Sequence, residues 1–144
     1  MSIKIYKYQK VTDEFTTHLL VEPDYQDGGD KITELCNIDN DTYVSVPDGV
    51  TLPSQPEIIS ETLSEVVLTD ELKSQIKKES VHVQLINQRV VEKIRDKYSE
   101  NDEFSISRNK VASEPESDVN FNEYNTYIKS CVSWGVSEKS KLGL

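Results

Sequence analysis

The first third of the chain has the short, alternating apolar pattern of β-strands. Residues 3–8 place isoleucine and tyrosine near every second position, and residues 42–46 form another β-prone run. Apolar runs at 15–21 and 32–38 are bounded by polar, turn-forming residues. We expect residues 3–8 and 15–21 to form a hairpin with a long loop, as part of a small antiparallel sheet.

Prolines interrupt this pattern after the predicted sheet. Pro47, Pro53 and Pro56 lie close together in the sequence, beside a glycine. Proline fixes φ and removes a hydrogen-bond donor, so regular structure is not expected over residues 47–59. Because prolines also stiffen the backbone, we expect residues 47–67 to form an extended arm that acts as a spacer.

Helical spacing replaces the alternation in the second half of the chain. Leu68, Leu72 and Ile76 lie four apart, which places them on one helical face. A second apolar stripe defines a helix over residues 81–98, with these side chains: Val83, Ile86, Val90 and Ile94.

Residues suited to begin a helix precede each helical segment. Thr69 comes before the first, Ser80 before the second and Ser99 before a short third, while Ser117 or Asp118 begins the last. Gly143 follows the last helix and marks its end.

These patterns predict an α+β protein in three parts. The parts are a small β module (1–46), an extended proline-containing arm (47–67) and a helical module of three to four helices (68–144). Hydrophobic residues make up 35% of the chain, below the usual globular share. Either part of the chain is extended, or a partner completes its core.

The charge balance excludes two classes of partner. The chain has 26 acidic against 16 basic residues, for a net charge of −10. Nucleic acids and anionic membranes both require clustered lysine and arginine, so neither is an expected partner. No apolar run is long enough to span a membrane, and no signal peptide is recognisable. We expect a soluble protein made in a reducing cytoplasm, with Cys36 and Cys131 free.

Catalytic and metal-binding patterns are weak. His18 and His82 lie in different predicted elements, without a patterned cysteine, serine or aspartate partner. Asn37, Asp39 and Asp41 match the first spacings of a calcium loop, but Thr42 and Asp48 replace its glycine and closing glutamate. We therefore expect no enzyme activity, no cofactor and no metal.

A second acidic group surrounds a Gly-Gly turn at residues 23–30. Asp24, Asp27 and Asp30 belong to it. Carboxylates that hydrolyse a glycoside need a fixed separation across a cleft, which this loop does not predict. We interpret the group as a solvated turn.

The aromatic residues of the last helix allow two interpretations. Phe121, Tyr124, Tyr127 and Trp134 pack a core in the first and bind a partner in the second. Tyr127 and Trp134 lie seven apart, on a face offset from the other two. This pair is the candidate partner interface, and we expect it to be exposed.

Several stretches resemble small proteins encoded in the tail regions of bacteriophages and prophages, beside tail-fibre genes. In the second half these are Leu68–Lys73, Ile94–Ser99, Asp102–Glu103, Arg108, Tyr124–Tyr127 and Glu138–Leu144. In the first half, Ile5–Tyr8, Thr12–Phe15 and Val46–Pro53 are similar to parts of tail-fibre assembly and accessory proteins. The resemblance implies no active site and no cofactor.

The resemblance implies a virion structural protein of the tail, which contacts fibre or baseplate subunits in a symmetric oligomeric assembly. The alternative is a non-virion chaperone for tail-fibre assembly. A third hypothesis, a small hydrolase or lysis enzyme, has no catalytic spacing to support it.

Overall fold

Residues 3–25 and 30–144 are described in the computed structural model. The predicted turn at 23–30 lies partly outside the described residues, and so does Asp27. The chain divides into two compact units. The sheet unit comprises Met1–Gln84 together with Lys139–Leu144, and the helical unit comprises Leu85–Glu138.

The sheet unit is built on a four-stranded antiparallel sheet. Its strands and the two shorter ones are β1 (Lys4–Tyr8), β2 (Val11–Thr12), β3 (Thr17–His18), β4 (Thr33–Ile38), β5 (Asp41–Val46) and β6 (Ser64–Val66). The sheet order is β4-β5-β1-β6, and β2 and β3 pair separately. The antiparallel sheet and the helices that follow it confirm the predicted α+β class.

Both faces of this sheet are covered. Ile5 and Tyr43 pack in one buried group, which also holds Ile76 and Leu144. Tyr8 and Val44 pack in a second group. Because neighbouring strand residues point to opposite faces, the two groups lie on opposite sides of the sheet.

The structure differs from the arm predicted over 47–67. This segment contains α1 (Glu57–Ser60) and strand β6, which pairs with β1. Ile59 is 0% exposed and belongs to the second buried group, against which Val50, Leu52 and Leu63 also pack. The prolines break regular structure locally, but the apolar residues between and after them hold the segment on the sheet.

The hairpin predicted between 3–8 and 15–21 is wrong. Strand β1 pairs with β5 on one side and β6 on the other. Apolar side chains on both of its faces suit a central strand, which needs two neighbours. Of residues 15–21, only Thr17 and His18 are in a strand, and they pair with Val11 and Thr12.

Four longer helices follow in the second half. They are α2 (Asp70–Glu79), α3 (Val81–Lys97), α4 (Glu100–Val111) and α5 (Ser117–Ser140). The side chain of Thr69 accepts a hydrogen bond from the Leu72 backbone N–H at 3.2 Å, as the sequence predicts. Ser99 and Asp102 form a capping box at the start of α4.

The predicted module 68–144 does not coincide with the helical unit. Helix α2 and residues Lys139–Leu144 belong to the sheet unit. After α5, the Leu144 N–H bonds the Lys139 carbonyl at 3.1 Å, and Gly143 has a φ of 82°. This Schellman-type end needs a left-handed residue, and it brings Leu144 into the core beside Ile5.

Ser80 does not cap α3 with its side chain. Its backbone N–H donates to the Ile76 carbonyl at 2.8 Å and ends α2, while its carbonyl accepts from Gln84 at 3.1 Å. The side chain is fully buried, and its Oγ has no hydrogen-bond partner among the described residues. The backbone of Ser80 therefore forms hydrogen bonds with both α2 and α3, whereas its hydroxyl bonds neither helix.

We predict that Ser80→Ala and Ser99→Ala change stability in opposite directions. Removing an unpaired buried hydroxyl at position 80 is expected to raise the free energy of unfolding by about 1 kcal/mol. Removing the Ser99 cap is expected to lower it by about 1 kcal/mol. Urea denaturation followed by circular dichroism measures both variants. A loss of stability in Ser80→Ala equal to that in Ser99→Ala would mean that Ser80 acts as a cap.

Candidate interaction surface

Three tyrosines pack together in the helical unit. The Tyr98 and Tyr124 rings meet edge to face, with centroids 5.1 Å apart and planes at 87°. The Tyr127 ring lies 5.7 Å from Tyr98 at a tilt of 57°. Tyr98 follows α3 directly and its N–H donates to the Ile94 carbonyl at 2.8 Å, so the end of α3 positions it against α5. Edge-to-face pairs of this kind add stability beyond burial alone.

Two lysines of α3 cover aromatic rings of α5. Lys97 Nζ lies 4.6 Å from the centre of the Tyr127 ring, and Lys93 Nζ lies 4.6 Å from that of Trp134. The two lysines are four residues apart in α3, and the two rings are seven residues apart in α5. The first lysine lies over the second ring and the second lysine over the first, so the two helices run in opposite directions here. We call these six residues the aromatic–lysine cluster: Lys93, Lys97, Tyr98, Tyr124, Tyr127 and Trp134.

The candidate pair from the sequence lies in this cluster. The structure brings Tyr127 and Trp134 to one face of α5, under Lys97 and Lys93. Both side chains are half-buried, which differs from the exposed pair expected from the helical spacing. The Tyr127 hydroxyl also donates to the Lys93 carbonyl at 2.7 Å, so the pair helps to hold α3 and α5 together.

Glu103 links the three helices of this unit. Its carboxylate accepts hydrogen bonds from the Tyr124 hydroxyl and from Arg95. The bond to Glu103 raises the pKa of Tyr124 to about 12. The Tyr124 hydroxyl and then Arg95 lower the pKa of Glu103 below its usual value. Near neutral pH the Tyr124 hydroxyl therefore stays protonated and the Glu103 carboxylate stays ionised. These groups stabilise the packing of the helices and are not suited to proton transfer.

A concave surface lies beside the cluster. The concavity has a volume of about 470 Å³. It is lined by Lys97 of α3 and by Tyr127, Glu123 and neighbouring polar residues of α5. Tyr127 is therefore reachable from this side although Lys97 covers part of its ring. The surface is open and mixed in polarity, which suits a contact with another protein better than an enclosed small molecule.

Exposed apolar side chains lie outside the pair named from the sequence. On α4, Phe104 is 69% and Val111 is 88% exposed, and the two are seven apart on one face. Helix α4 is described in full and has no buried residue. On α5, Val132 and Val136 are exposed at a spacing of four. The sequence alone could have indicated these two pairs, because spacings of seven and four place both members of a pair on one helical face.

The calcium-like residues form an ordinary hairpin turn. Asp39 sits at the tip between β4 and β5 with a φ of 55°, which aspartate tolerates. The Thr42 hydroxyl donates to the Asn37 side-chain oxygen at 2.5 Å, so these two groups bond each other. Within 3–25 and 30–144, no group of three or more histidine, cysteine, aspartate or glutamate side chains is arranged to hold a metal ion.

The two histidines and two cysteines lie in four different elements, and only Cys131 among them contacts a described residue of the aromatic–lysine cluster by a hydrogen bond, to Tyr127. His18 Nε2 lies 2.7 Å from Asp13 Oδ2, and His82 is exposed on α3. Cys36 and Cys131 are buried free thiols. Burial, with Glu79 and Glu34 nearby, raises the pKa of Cys36 to about 11, so it is a poor nucleophile at neutral pH.

No helix within the described ranges combines the length and apolarity needed to cross a membrane.

The comparisons with known proteins found no matching family model, no matching curated protein and no matching solved structure.

Proposed function

We propose that this chain is a non-catalytic structural protein of a bacteriophage tail, bound to a fibre or to the baseplate. The observation that carries the binding role is the exposure of large apolar side chains in both units. Phe15 is 96% and Val67 is 86% exposed in the sheet unit, and the α4 pair is exposed in the helical unit. Covering such side chains with a partner releases free energy in proportion to the apolar area removed from water.

The arrangement of these side chains supports contacts rather than chance exposure. Single apolar residues on a surface are common, but Phe104 and Val111 share one face of a helix that has no buried residue of its own among its described positions. Val132 and Val136 are a second exposed pair, on one face of α5. Aromatic and apolar side chains at the centre of a patch are typical of protein interfaces.

The bacteriophage assignment is based on the resemblance. In the helical unit the resembling stretches contribute Arg95, Tyr98, Glu103, Tyr124 and Tyr127, which all pack together. The likeness therefore includes the residues that build the helical unit, and not surface composition alone. This supports the proposal that the helical unit has the same role as in those tail-region proteins.

Mass spectrometry of purified, salt-washed phage particles tests the proposal. We expect peptides of this chain at a fixed ratio to other tail proteins. Finding the chain in infected-cell lysate but not in particles would contradict a virion role and favour the alternative, a tail-fibre assembly chaperone. A capsid protein in the same sample controls for particle recovery.

A further inference from the structure

The hairpin of β2 and β3 presents one aromatic side chain at its tip. Residues 13–16 connect the two strands, and Phe15 lies in this connection. Its exposure of 96% is the highest among the large apolar side chains of the described residues. Packing within the sheet unit does not explain a phenylalanine here, because the ring buries almost nothing.

Hydrogen bonds on both sides of Phe15 hold the tip in one shape. The Asp13 N–H donates to the Thr16 carbonyl at 2.8 Å, and the Asp13 carboxylate lies 2.7 Å from His18 Nε2. The hydroxyls of Thr12 and Thr17 are 3.2 Å apart and bond each other across the strands. A hairpin backbone held in this way loses little conformational entropy on binding.

The sequence around Phe15 is acidic. Residues 11–25 contain four acidic residues and neither lysine nor arginine. Asp13 and Glu14, both exposed, directly precede the phenylalanine. A partner surface that receives this ring is complementary only if its rim is positively charged. A second copy of this chain is a poor partner, since its net charge is also −10.

We propose that Phe15 is an anchor that inserts into an apolar pocket of a partner protein, and that lysine or arginine side chains surround this pocket. Aromatic side chains are frequent anchors of protein interfaces, and charges at the rim speed association and select the partner. This contact lies in the sheet unit and uses none of the aromatic–lysine cluster. It rests on the proposed function only in that the chain acts through protein contacts.

Photo-crosslinking from position 15 tests this proposal. The full chain, with p-benzoylphenylalanine replacing Phe15, is expressed in the cells that naturally produce it. A second chain carries the same group at Phe104, an exposed side chain of the helical unit that the proposed function also places against a partner, so that the peptides crosslinked from the two positions can be compared. We expect position 15 to crosslink to one peptide that contains apolar residues flanked by lysine or arginine. Adding Glu14→Lys is expected to lower the yield several-fold, because it reverses the charge beside the ring.

Four results would overturn the proposal. They are no product from position 15, a product with an acidic peptide, a product with a second copy of this chain, and a yield that Glu14→Lys leaves unchanged. Misfolding is controlled by thermal melting, because an exposed side chain at position 15 predicts the same melting temperature in the variant and the parent.

Crosslinking from position 15 and mass spectrometry of purified particles together separate this proposal from the virion role. A crosslink of the expected chemistry in lysate, with the chain missing from particles, supports the anchor and contradicts the virion role. A chain found in particles without a crosslink from position 15 contradicts the anchor alone.

Discussion

Replacing Ile59 with alanine is expected to lower the free energy of unfolding by about 2–5 kcal/mol. Ile59 is 0% exposed and packs with Tyr8 and Val44 on one face of the sheet. Alanine removes buried apolar atoms and leaves a cavity that the surrounding side chains fill only in part. Urea denaturation followed by far-ultraviolet circular dichroism measures the loss.

Ile58→Ala is the matched control, because Ile58 has the same side chain and is only partly buried at the edge of the same group. We expect a clearly smaller loss in this variant. If Ile59→Ala left stability unchanged, residues 47–67 would be a detached arm, as the prolines alone predict, and our description of the second sheet face would be wrong.

Gly135→Ala is expected to destabilise the helical unit although alanine favours helices. A Cβ at position 135 would lie 2.7 Å from Val90 Cγ2, well inside van der Waals contact. Valine in a helix has essentially one favoured rotamer, so it cannot turn away without strain. The overpacking costs about 1–3 kcal/mol and outweighs the gain of about 1 kcal/mol from replacing glycine.

A double-mutant cycle with Val90→Ala isolates this contact. Once Cγ2 of Val90 is removed, Gly135→Ala is expected to be neutral or stabilising, with a coupling energy of about 1–3 kcal/mol. Thermal and urea unfolding of the four proteins provide the values. Equal effects of Gly135→Ala in both backgrounds would show that α3 and α5 do not approach closely at this point.

Helix ends were predictable because their signals are local. Thr69 and Ser99 directly precede their helices, and the side-chain hydroxyl of each accepts a hydrogen bond from the first turn, as expected of a cap. The helix predicted over 81–98 is confirmed as Val81–Lys97. Ser80 shows the limit of this reasoning, because burial of its hydroxyl depends on the packing around it and not on neighbouring residues in the sequence.

The strand pairing was not predictable from local pattern. The pattern over residues 3–8 correctly predicts strand β1, but the neighbours of this strand, β5 and β6, come from distant parts of the chain. Strand β6 has three residues, too few for an alternating pattern to stand out. The prolines before it predicted an arm, whereas the buried Ile59 decides that the segment packs on the sheet.

The candidate site was predictable in part for a similar reason. A spacing of seven in one helix correctly places Tyr127 and Trp134 on a common face. The lysines that lie over these two rings, Lys97 and Lys93, belong to α3. The spacing within α5 therefore does not predict that the rings are partly covered. The exposure of Phe15 also depended on tertiary structure, because a run of β-prone residues at 15–21 predicted a strand there instead.

Hydroxyl-radical footprinting of the chain, free and within purified phage particles, tests our central claim most directly. The claim is that the exposed apolar side chains are partner contacts in the tail. We predict that oxidation of Phe15, Phe104 and Val111 falls several-fold in particles, while that of the buried Ile59 stays low in both. Equal oxidation of these three exposed residues in the two samples, or no detectable chain in the particles, would contradict the account.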